Sequence, residues 1–473
     1  MSKTKRGLLG YVAALLLLAV QTLSVAAQSA KPVKLIVTHA RLITMASDQR
    51  DPFTGYLAVD EDGKLVAVGA GDPPAGLAAR ETWDAQGMWV IPGLLSAHSH
   101  LWQSAFRGLA ADQTLTGWIN ALYVQHASRA HAEDFYWFTL HGALDHLEHG
   151  ITGAFDYNYG GSDSSACVPN RCDEASFKGE MDSGIRFIHG YQPDKVGPGD
   201  DLLEARARLK AFLDWTAEQP HSSNFLSVMI SGSTSFNDTY RQAVVETSLM
   251  NEFHLGNQSH YLEPPETIAA ERAKFKWFVS SGMLGPTLYF GHFIHPDKYI
   301  LDKVAAAHGG MSWNPLSNGR LASGVPDIPK YLKKGIRVGM GVDGEASADL
   351  ADPFENMRTG LYAIRDKYQD ATVLSPYQVL YLHTMGSADV MGVKGKLGSL
   401  EPGKFADFVV IDPARFGTVF DPYASLVLVT SERDIARVYV GGELLVDHGK
   451  LLKQDMPKIQ IEMDKRSKAT MAH

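Results

Sequence analysis

Between residues 91 and 394 the sequence alternates short apolar segments with helical ones, and this order limits the fold more than any other feature. Eight segments have the length and the apolar content of β-strands, and turn residues separate them. Eight strands alternating with helices are what a closed (β/α)8 barrel requires. The alternative, an open doubly wound sheet, needs a glycine-rich phosphate turn after its first strand, which this sequence lacks. The predicted strands are VIPGLLSAHSH, ITGAFDY, IRFIHGY, FLSVMIS, LMNEFHL, TLYFGH, GMSWNP and IRVGMGVD.

The two ends of the chain outside this region have a different sequence pattern. Segments such as LIVTHARLITM near the start and FADFVVID near the end are short strands punctuated by Gly, Asp and Pro. We therefore predict an α/β protein whose TIM-like barrel is inserted in a small β-sandwich built from both ends. The predicted boundaries are 28–90 and 395–460 for the sandwich, 91–394 for the barrel and 461–473 for a C-terminal tail.

The first 27 residues have the three-part layout of a secretory signal peptide. A basic start is followed by the apolar run LLGYVAALLLLAV and by small residues that end at Ala27. A retained membrane anchor is the less favoured alternative, because spanning a bilayer takes about 20 apolar residues. We expect cleavage after Ala27, a periplasmic or secreted location, and no stable membrane association afterwards. In an oxidising compartment Cys167 and Cys172 would form a disulfide, with a metal site as the weaker alternative.

The net charge of the chain indicates which classes of partner to expect. The chain carries 44 Lys and Arg against 53 Asp and Glu, a formal net charge of −9. Because nucleic-acid binding requires a basic surface, this balance excludes nucleic acid as the expected partner. A small-molecule substrate is expected instead, and the sequence leaves homo-oligomer formation open.

Five polar side chains stand at or near the ends of four predicted strands: His98, His100, His254, His292 and Asp343. Catalytic groups of a barrel cluster at the C-terminal ends of its strands. His98 and His100 are two residues apart, so they share one face of their strand. A single histidine at a strand end usually has a structural role. Metal-type ligands at the ends of four converging strands are much harder to explain by structure alone. The pattern predicts three imidazoles and a carboxylate around one divalent ion.

Several motifs together resemble the amidohydrolase superfamily: VIPGLLSAHSHLWQSAFRG, HFIHPD, SWNPLSNGRLASG, GVDGEASADLADPFENMR and LGSLEPGKFADFVVID. More narrowly they resemble its mononuclear-metal deaminase and chlorohydrolase branch, which is cytosine deaminase-like. The resemblance implies His98, His100, His254 and Asp343 as ligands of one metal, zinc with iron as the alternative. It implies that Asp343 takes the proton of the attacking water and that His292 polarises that water or the substrate.

The reaction implied by the resemblance is attack of metal-activated water on an sp² carbon. The enzyme would hydrolyse a non-peptide C–N bond of a small amide, a cyclic amide or a heteroaromatic amine. Several residues that closely follow barrel strands are expected to line the pocket, among them Gln103 and Tyr157.

Two positions depart from the family pattern. The deaminases have a glutamate three residues after the histidine of strand 5, where it shuttles a proton. After His254 this position is Asn257, whose amide cannot donate and recover a proton in that way. Asn257 is expected to hydrogen-bond the substrate. Trp313, which replaces a usual histidine, is expected to form an aromatic wall.

The missing carboxyl leaves alternatives open. Glu345 could replace it, although an exposed loop acid is the favoured interpretation, and Glu252 could replace it or orient a ligand histidine. The chain could also be a catalytically impaired protein that binds a metal or a substrate. Non-hydrolytic chemistry, such as decarboxylation, is the third interpretation.

Overall fold

The computed structural model describes residues 32–46, 48–158, 167–193 and 202–471. In these ranges two nine-stranded sheets form. The strands are β1 (Val33–Leu42), β2 (Phe53–Val59), β3 (Leu65–Ala70), β4 (Ala79–Asp84), β5 (Trp89–Pro92), β6 (Leu94–His100), β7 (Ile151–Tyr157), β8 (Arg186–Tyr191), β9 (Phe225–Gly232), β10 (Asn257–Tyr261), β11 (Leu288–His292), β12 (Gly310–Trp313), β13 (Arg337–Met340), β14 (Asp343–Gly344), β15 (Phe408–Ile411), β16 (Ile435–Val440), β17 (Glu443–Asp447) and β18 (Lys450–Leu451).

Helices connect most strands of the second sheet and cover it, and the remaining ones lie near the chain ends. They are α1 (Leu115–Ile119), α2 (Ala132–Glu148), α3 (Arg171–Ser183), α4 (Leu202–Glu218), α5 (Arg241–Phe253), α6 (Ile268–Ser280), α7 (Lys298–Ala306), α8 (Pro315–Arg320), α9 (Ile328–Lys333), α10 (Pro353–Tyr368), α11 (Pro376–Tyr381), α12 (Ser387–Val390), α13 (Pro422–Leu428) and α14 (Met456–Met471).

The second sheet is parallel and returns to its first strand. Strands β6 to β13 are neighbours in chain order, and all of their pairings are parallel. Two residues separate the end of β13 from the start of β14, and β14 pairs with β6. Strands β13 and β14 therefore act as one interrupted eighth strand. The prediction of an α/β protein with a TIM-like barrel is confirmed. The C-terminal ends of these strands therefore meet at one face.

The fifth strand is not where the sequence analysis placed it. The segment LMNEFHL forms the end of helix α5 and the residues after it, whereas the fifth strand is β10, NQSHY. Leu249 and Met250 are buried and belong to the apolar stripe of that helix. A short apolar run has the same composition in a buried helix and in a buried strand, which is why the prediction was wrong.

The first sheet is built from both ends of the chain, as predicted. Its strand order is β18-β17-β16-β15-β5-β1-β2-β3, with β4 paired to β1. Strand β15 pairs antiparallel with β5, which joins the two ends of the chain through a core that includes Leu35, Val37, Leu57 and Phe408. The two-layered arrangement of a sandwich stays a prediction.

Two expectations concern the chain's compartment. Cys167 and Cys172 form a disulfide at the start of α3, so the disulfide interpretation holds over the metal site. In the described ranges no helix has the length and apolarity needed to cross a membrane. The predicted signal peptide lies outside the described residues.

A buried charged cluster links β8 to α3. Nδ1 of His189 lies 2.9 Å from Oε2 of Glu180, and Nε2 lies 3.7 Å from Oδ1 of Asp173. Burial alone would lower the pKa of His189, but Glu180 and Asp173 outweigh it and raise the pKa to about 10. Because the folded value exceeds the unfolded one, the charged histidine stabilises the fold fully below about pH 6.5. This contribution is lost as the pH rises through about 10.

Replacing His189 by Gln removes the positive charge and leaves Glu180 buried without it. We expect the free energy of unfolding at pH 7 to fall by about 3–5 kcal/mol, the usual cost of breaking a buried ion pair. The difference between the two proteins should shrink as the pH rises from 7 to 10. Urea unfolding measured across this range tests it, with His448→Gln on the exposed surface as the control. A constant difference at all pH values would contradict the assignment of the charge.

Candidate active site

Four histidines and an aspartate meet at the C-terminal face of the barrel: His98 and His100 on β6, His260 on β10, His292 on β11 and Asp343 on β14. The ring of His98 lies 4.9 Å from that of His100, 4.6 Å from that of His260 and 5.3 Å from that of His292. Oδ1 of Asp343 lies 3.5 Å from Nε2 of both His98 and His100. Four of the five residues predicted from the sequence are thus brought together, and His260 takes the fifth place.

In three of the imidazoles, Nδ1 donates a hydrogen bond to a fixed acceptor of the protein. Nδ1 of His98 donates to Oε1 of Gln258. Nδ1 of His100 donates to the backbone oxygen of Tyr157 at 2.8 Å, and Nδ1 of His292 to Oδ1 of Asn318 at 2.8 Å. An acceptor at Nδ1 places the proton there and leaves Nε2 free to act as a ligand or an acceptor.

The strand ends approach closely enough to require a glycine. A Cβ atom at Gly341, between β13 and β14, would lie 2.6 Å from the backbone oxygen of His98. Any side chain at this position would push the last strand away from β6. Gly341 therefore allows Asp343 to reach the two histidines of β6.

The protonation states of these groups suit a divalent metal. Burial lowers the pKa of His98 to about 3, and burial followed by the neighbouring imidazoles lowers that of His260 far below its usual range. Burial would raise the pKa of Asp343, but the imidazoles of His98, His292 and His100 outweigh it and lower the pKa to about 2. Neutral imidazoles and an ionised carboxylate are the ligands that such metals prefer.

One nitrogen in this cluster has no hydrogen-bond partner among the described residues. Nε2 of His98 is buried and lacks a hydrogen bond within the described residues. Buried polar atoms are nearly always paired, so an unpaired nitrogen among other ligand groups indicates a site for an ion. The residues present therefore fit one metal, held by His98, His100, His260 and Asp343, with His292 beside it.

The prediction of His254 as a ligand is wrong. His254 follows the last residue of α5 in a left-handed conformation, with φ of 56°, and its side chain is exposed. It precedes β10, at the end of the barrel away from the cluster. His260, near the C-terminal end of β10, supplies the imidazole that the sequence analysis assigned to His254.

Asn257 does not reach the site either. As the first residue of β10 it points out of the barrel, where Nδ2 donates to Oε2 of Glu246 on α5 at 2.9 Å. Side chains alternate along a strand, so Asn257, Ser259 and Tyr261 share the outer face while Gln258 and His260 share the inner one. The apparent replacement of a catalytic glutamate by Asn257 was a consequence of the misplaced strand.

Trp313 also faces outward, so the predicted aromatic wall is wrong. Its ring packs against helix α10, where a Cβ atom at Gly360 would lie 2.7 Å from Cη2 of the tryptophan. The inner face at this strand end carries Asn314, whose Nδ2 lies 3.4 Å from Nδ1 of His292. Trp313 therefore stabilises the packing of a helix on the barrel.

Tyr157 and Gln103 support the site from behind instead of lining its cavity. The hydroxyl of Tyr157 donates to the backbone oxygen of Gly232 at 2.6 Å, and its ring lies 4.5 Å from that of His260. Nε2 of Gln103 donates to the hydroxyl of Tyr123 at 3.1 Å. Both predicted substrate-binding residues are buried and position other side chains.

Glu263 is a site residue that was not predicted from the sequence. This glutamate follows His260 by three residues, lies two residues beyond the end of β10 and faces the cavity. Its Oε2 lies 3.4 Å from Nε2 of His292. Burial raises the pKa of Glu263 to about 7, against the opposing effect of His292. The family spacing of histidine and glutamate was present in HYLE but was sought from the wrong histidine.

The two candidate replacement acids do not enter the cavity. Glu252 is exposed on α5 and pairs with Nε of Arg206 at 2.7 Å, so it orients no ligand. Glu345 is buried, contrary to the exposed loop acid that was expected, and it accepts a hydrogen bond from Nε of Arg107 at 2.7 Å. Arg107 also pairs with Asp145 at 2.9 Å, so Glu345 belongs to a structural ion-pair network.

A cavity of about 260 Å³ opens above the cluster. Its base carries His100, His260, Glu263, His292 and Asp343. Pockets for drug-sized ligands range from about 300 to 1,000 Å³, so this one suits a small molecule. The remaining described lining is largely apolar: Leu115, Trp118, Ile119, Tyr123, Val124, Phe236 and Leu321, with Ser317 and Ser347.

Sequence comparison places this architecture among known proteins. The model of the amidohydrolase family matches residues 89–445. A 5-methylthioadenosine/S-adenosylhomocysteine deaminase from Desulforudis audaxviator (strain MP104C) is 27% identical over 435 residues, which cover 89% of this chain and 95% of the relative.

Structural comparison agrees on the fold. An adenosine deaminase from Xanthomonas campestris, solved with bound zinc, superposes with a TM-score of 0.82 at 19% identity, covering 93% of this chain and 99% of the other. An atrazine chlorohydrolase from Arthrobacter aurescens TC1, complexed with zinc, gives 0.80 at 21% identity, covering 92% and 100%. The predicted amidohydrolase resemblance, and with it an enzyme acting on non-peptide C–N bonds, is confirmed.

Proposed function

The chain belongs to the amidohydrolase family, and we propose that it is a metal-dependent deaminase of a small heteroaromatic amine. The observation that carries this choice is Glu263, a buried carboxyl facing the cavity three residues after His260. A group able to donate and recover a proton suits ring amines, whose ring nitrogen must be protonated before ammonia leaves. The alternative of an impaired enzyme depended on the absence of that carboxyl, whereas decarboxylation was considered because the same metal site could support it.

One divalent ion, zinc with iron as the alternative, is the proposed cofactor. Its ligands would be His98, His100, His260 and Asp343. When bound, the ion supplies Lewis acidity, which lowers the pKa of a coordinated water from 15.7 to about 7. The zinc in the structural neighbours supports this choice, as does the donor set of the cluster.

The chain's own residues divide the proton transfers between them. Asp343 is ionised and its Oδ2 lies 3.5 Å from Nε2 of His292, so this pair can accept a proton from the attacking water. Glu263, whose Oε2 lies 3.4 Å from the same Nε2, can protonate the ring nitrogen of the substrate. The proton taken from the water then passes to the leaving nitrogen, which departs as ammonia, and the second proton of the water returns to Glu263 as the carbonyl forms. Gln258, Tyr157 and Asn318 hold the imidazoles in place through their hydrogen bonds.

The location and the domain boundaries are part of the proposal. The basic and apolar start of the chain supports export to the periplasm or the exterior, with cleavage after Ala27. We propose a sandwich of 28–90 and 395–460 around a barrel of 91–394, followed by a tail of 461–473. Export favours environmental or secondary-metabolite amines over intracellular nucleotide salvage.

Ammonia release tests the proposed reaction. Purified zinc-loaded protein would be incubated with adenosine, 5′-methylthioadenosine, guanine, cytosine and aminotriazines, and in parallel with cyclic amides and ureas. We expect one ammonia per substrate consumed for at least one ring amine. Ring opening of cyclic amides with no ammonia from any ring amine would contradict the proposal.

A further inference from the structure

The part of the cavity lining that lies outside its polar base comes largely from one segment. Residues 115–124 supply Leu115, Trp118, Ile119, Tyr123 and Val124, and the loop after β9 adds Phe236. This apolar wall, as we call these six residues, accounts for most of the lining outside the polar base. In a substrate whose reacting carbon lies at the polar base, the remaining part would contact this wall.

The polar atoms of the two amphipathic rings in the apolar wall are occupied by the protein. Nε1 of Trp118 donates to the backbone oxygen of Ala346 at 2.7 Å, and the hydroxyl of Tyr123 accepts from Gln103 at 3.1 Å. Ala346 lies three residues after Asp343, so the wall is fixed to the loop that carries the metal-site carboxylate. The two rings pack edge to face, with their centroids 5.8 Å apart, and both line the cavity with apolar surface.

The described residues that line the cavity include acidic side chains and no Lys or Arg. The acidic side chains are those of Glu263 and Asp343. Two arginines of adjoining segments are engaged elsewhere. Arg107 pairs with Glu345 and Asp145, and Nε of Arg320 lies 2.9 Å from Asp349. An anionic substituent that contacts the apolar wall would lose its hydration without gaining a Lys or Arg partner among the described lining residues.

We propose that the apolar wall selects substrates whose non-reacting substituent is uncharged and apolar, and that it rejects carboxylate or phosphate at that position. This inference rests on the proposed function and names its substrate class. It separates the protein from enzymes that must hold an anionic tail, even where the reacting ring is the same.

A pair of purines tests the inference by binding. In 5′-methylthioadenosine the 5′ substituent is an uncharged thioether, and in adenosine 5′-monophosphate it is a dianion. Calorimetry on zinc-loaded Glu263→Gln protein, in which turnover is slowed, measures both dissociation constants. We expect the thioether to bind at least about 100-fold more tightly, since one buried unpaired charge is enough for such a ratio. Equal or tighter binding of the monophosphate, or no binding of the thioether, would overturn the inference.

A charge placed on the rim gives a second readout. Val124 lines the cavity and is 61% exposed, so Val124→Arg should fold normally and add a cation at the mouth. We expect the binding ratio to fall about fivefold, in line with a partly exposed ion pair. Val66→Arg, which makes the same change on β3 in the other sheet, should leave the ratio unchanged. An unchanged ratio in Val124→Arg would contradict the role of the wall.

The proposed deamination and the proposed selection by the apolar wall can be rejected independently of each other. Tight binding of the thioether without ammonia release by the unsubstituted protein, from this or any other ring amine, would reject deamination and keep the selection by the apolar wall. Ammonia release together with preferred binding of the monophosphate would do the reverse.

Discussion

Replacing Glu263 by Gln is expected to lower kcat for ring-amine deamination by about 10²- to 10⁴-fold, the usual contribution of a general acid–base group. Glutamine has the same size and can hydrogen-bond the substrate, but its amide cannot carry a proton between the ring and the leaving nitrogen. The bound zinc should stay at one ion per chain, because Glu263 is not among the proposed ligands. Steady-state kinetics and metal analysis on the same preparation measure both quantities.

Glu252→Gln is the matched control. Glu252 lies on the exposed side of α5, where it pairs with Arg206, and it is absent from the described lining of the cavity. Its replacement should leave kcat within about twofold of the unsubstituted protein. A Glu263→Gln protein with near-normal turnover would show that another group carries the proton.

Replacing His260 by Ala is expected to abolish activity and to reduce metal content far below one ion per chain. The substitution removes one of three imidazoles from a four-ligand set, and the remaining ligands leave the ion incompletely coordinated. Added zinc should restore little turnover. Metal content after gel filtration, followed by kinetics with excess zinc, provides the measurement.

His254→Ala is the control for this second prediction. His254 is exposed after the end of α5 and contacts none of the cluster residues that the structure describes. Its metal content and its kcat should equal those of the unsubstituted protein. If metal is lost from His254→Ala and retained in His260→Ala, the assignment made from the sequence was right and the structural one is wrong.

The sequence was sufficient to predict the barrel and most of its site. Strand β7 has the predicted bounds, 151–157, because its apolar residues, preceded by Gly150, follow the ordinary pattern of a buried strand. His98, His100, His292 and Asp343 were found because each stands at a strand end in a recognisable motif. The family resemblance added roles to positions that the pattern had already selected.

Strand β10 could not be found from its own composition. Its inner positions, Gln258 and His260, are polar because they form the site, and its outer Asn257 is polar because it bonds to Glu246. Only Tyr261 supplies the aromatic residue expected of a strand. The apolar end of α5 therefore resembled a strand more closely than the true strand did. Because the fifth strand was assigned to the wrong segment, Glu263 was not recognised. The prediction for Trp313 was wrong for a related reason, because the alternation of side chains along β12 does not by itself tell which face points inward.

Anomalous diffraction at the zinc edge, from crystals of the zinc-loaded protein, would locate the metal and its ligands. We expect a single peak at the C-terminal face of the barrel, within bonding distance of His98, His100, His260 and Asp343, with Glu263 and His292 beside it. A peak bonded to His254, a second ion in the cavity, or no peak at these residues would contradict this assignment.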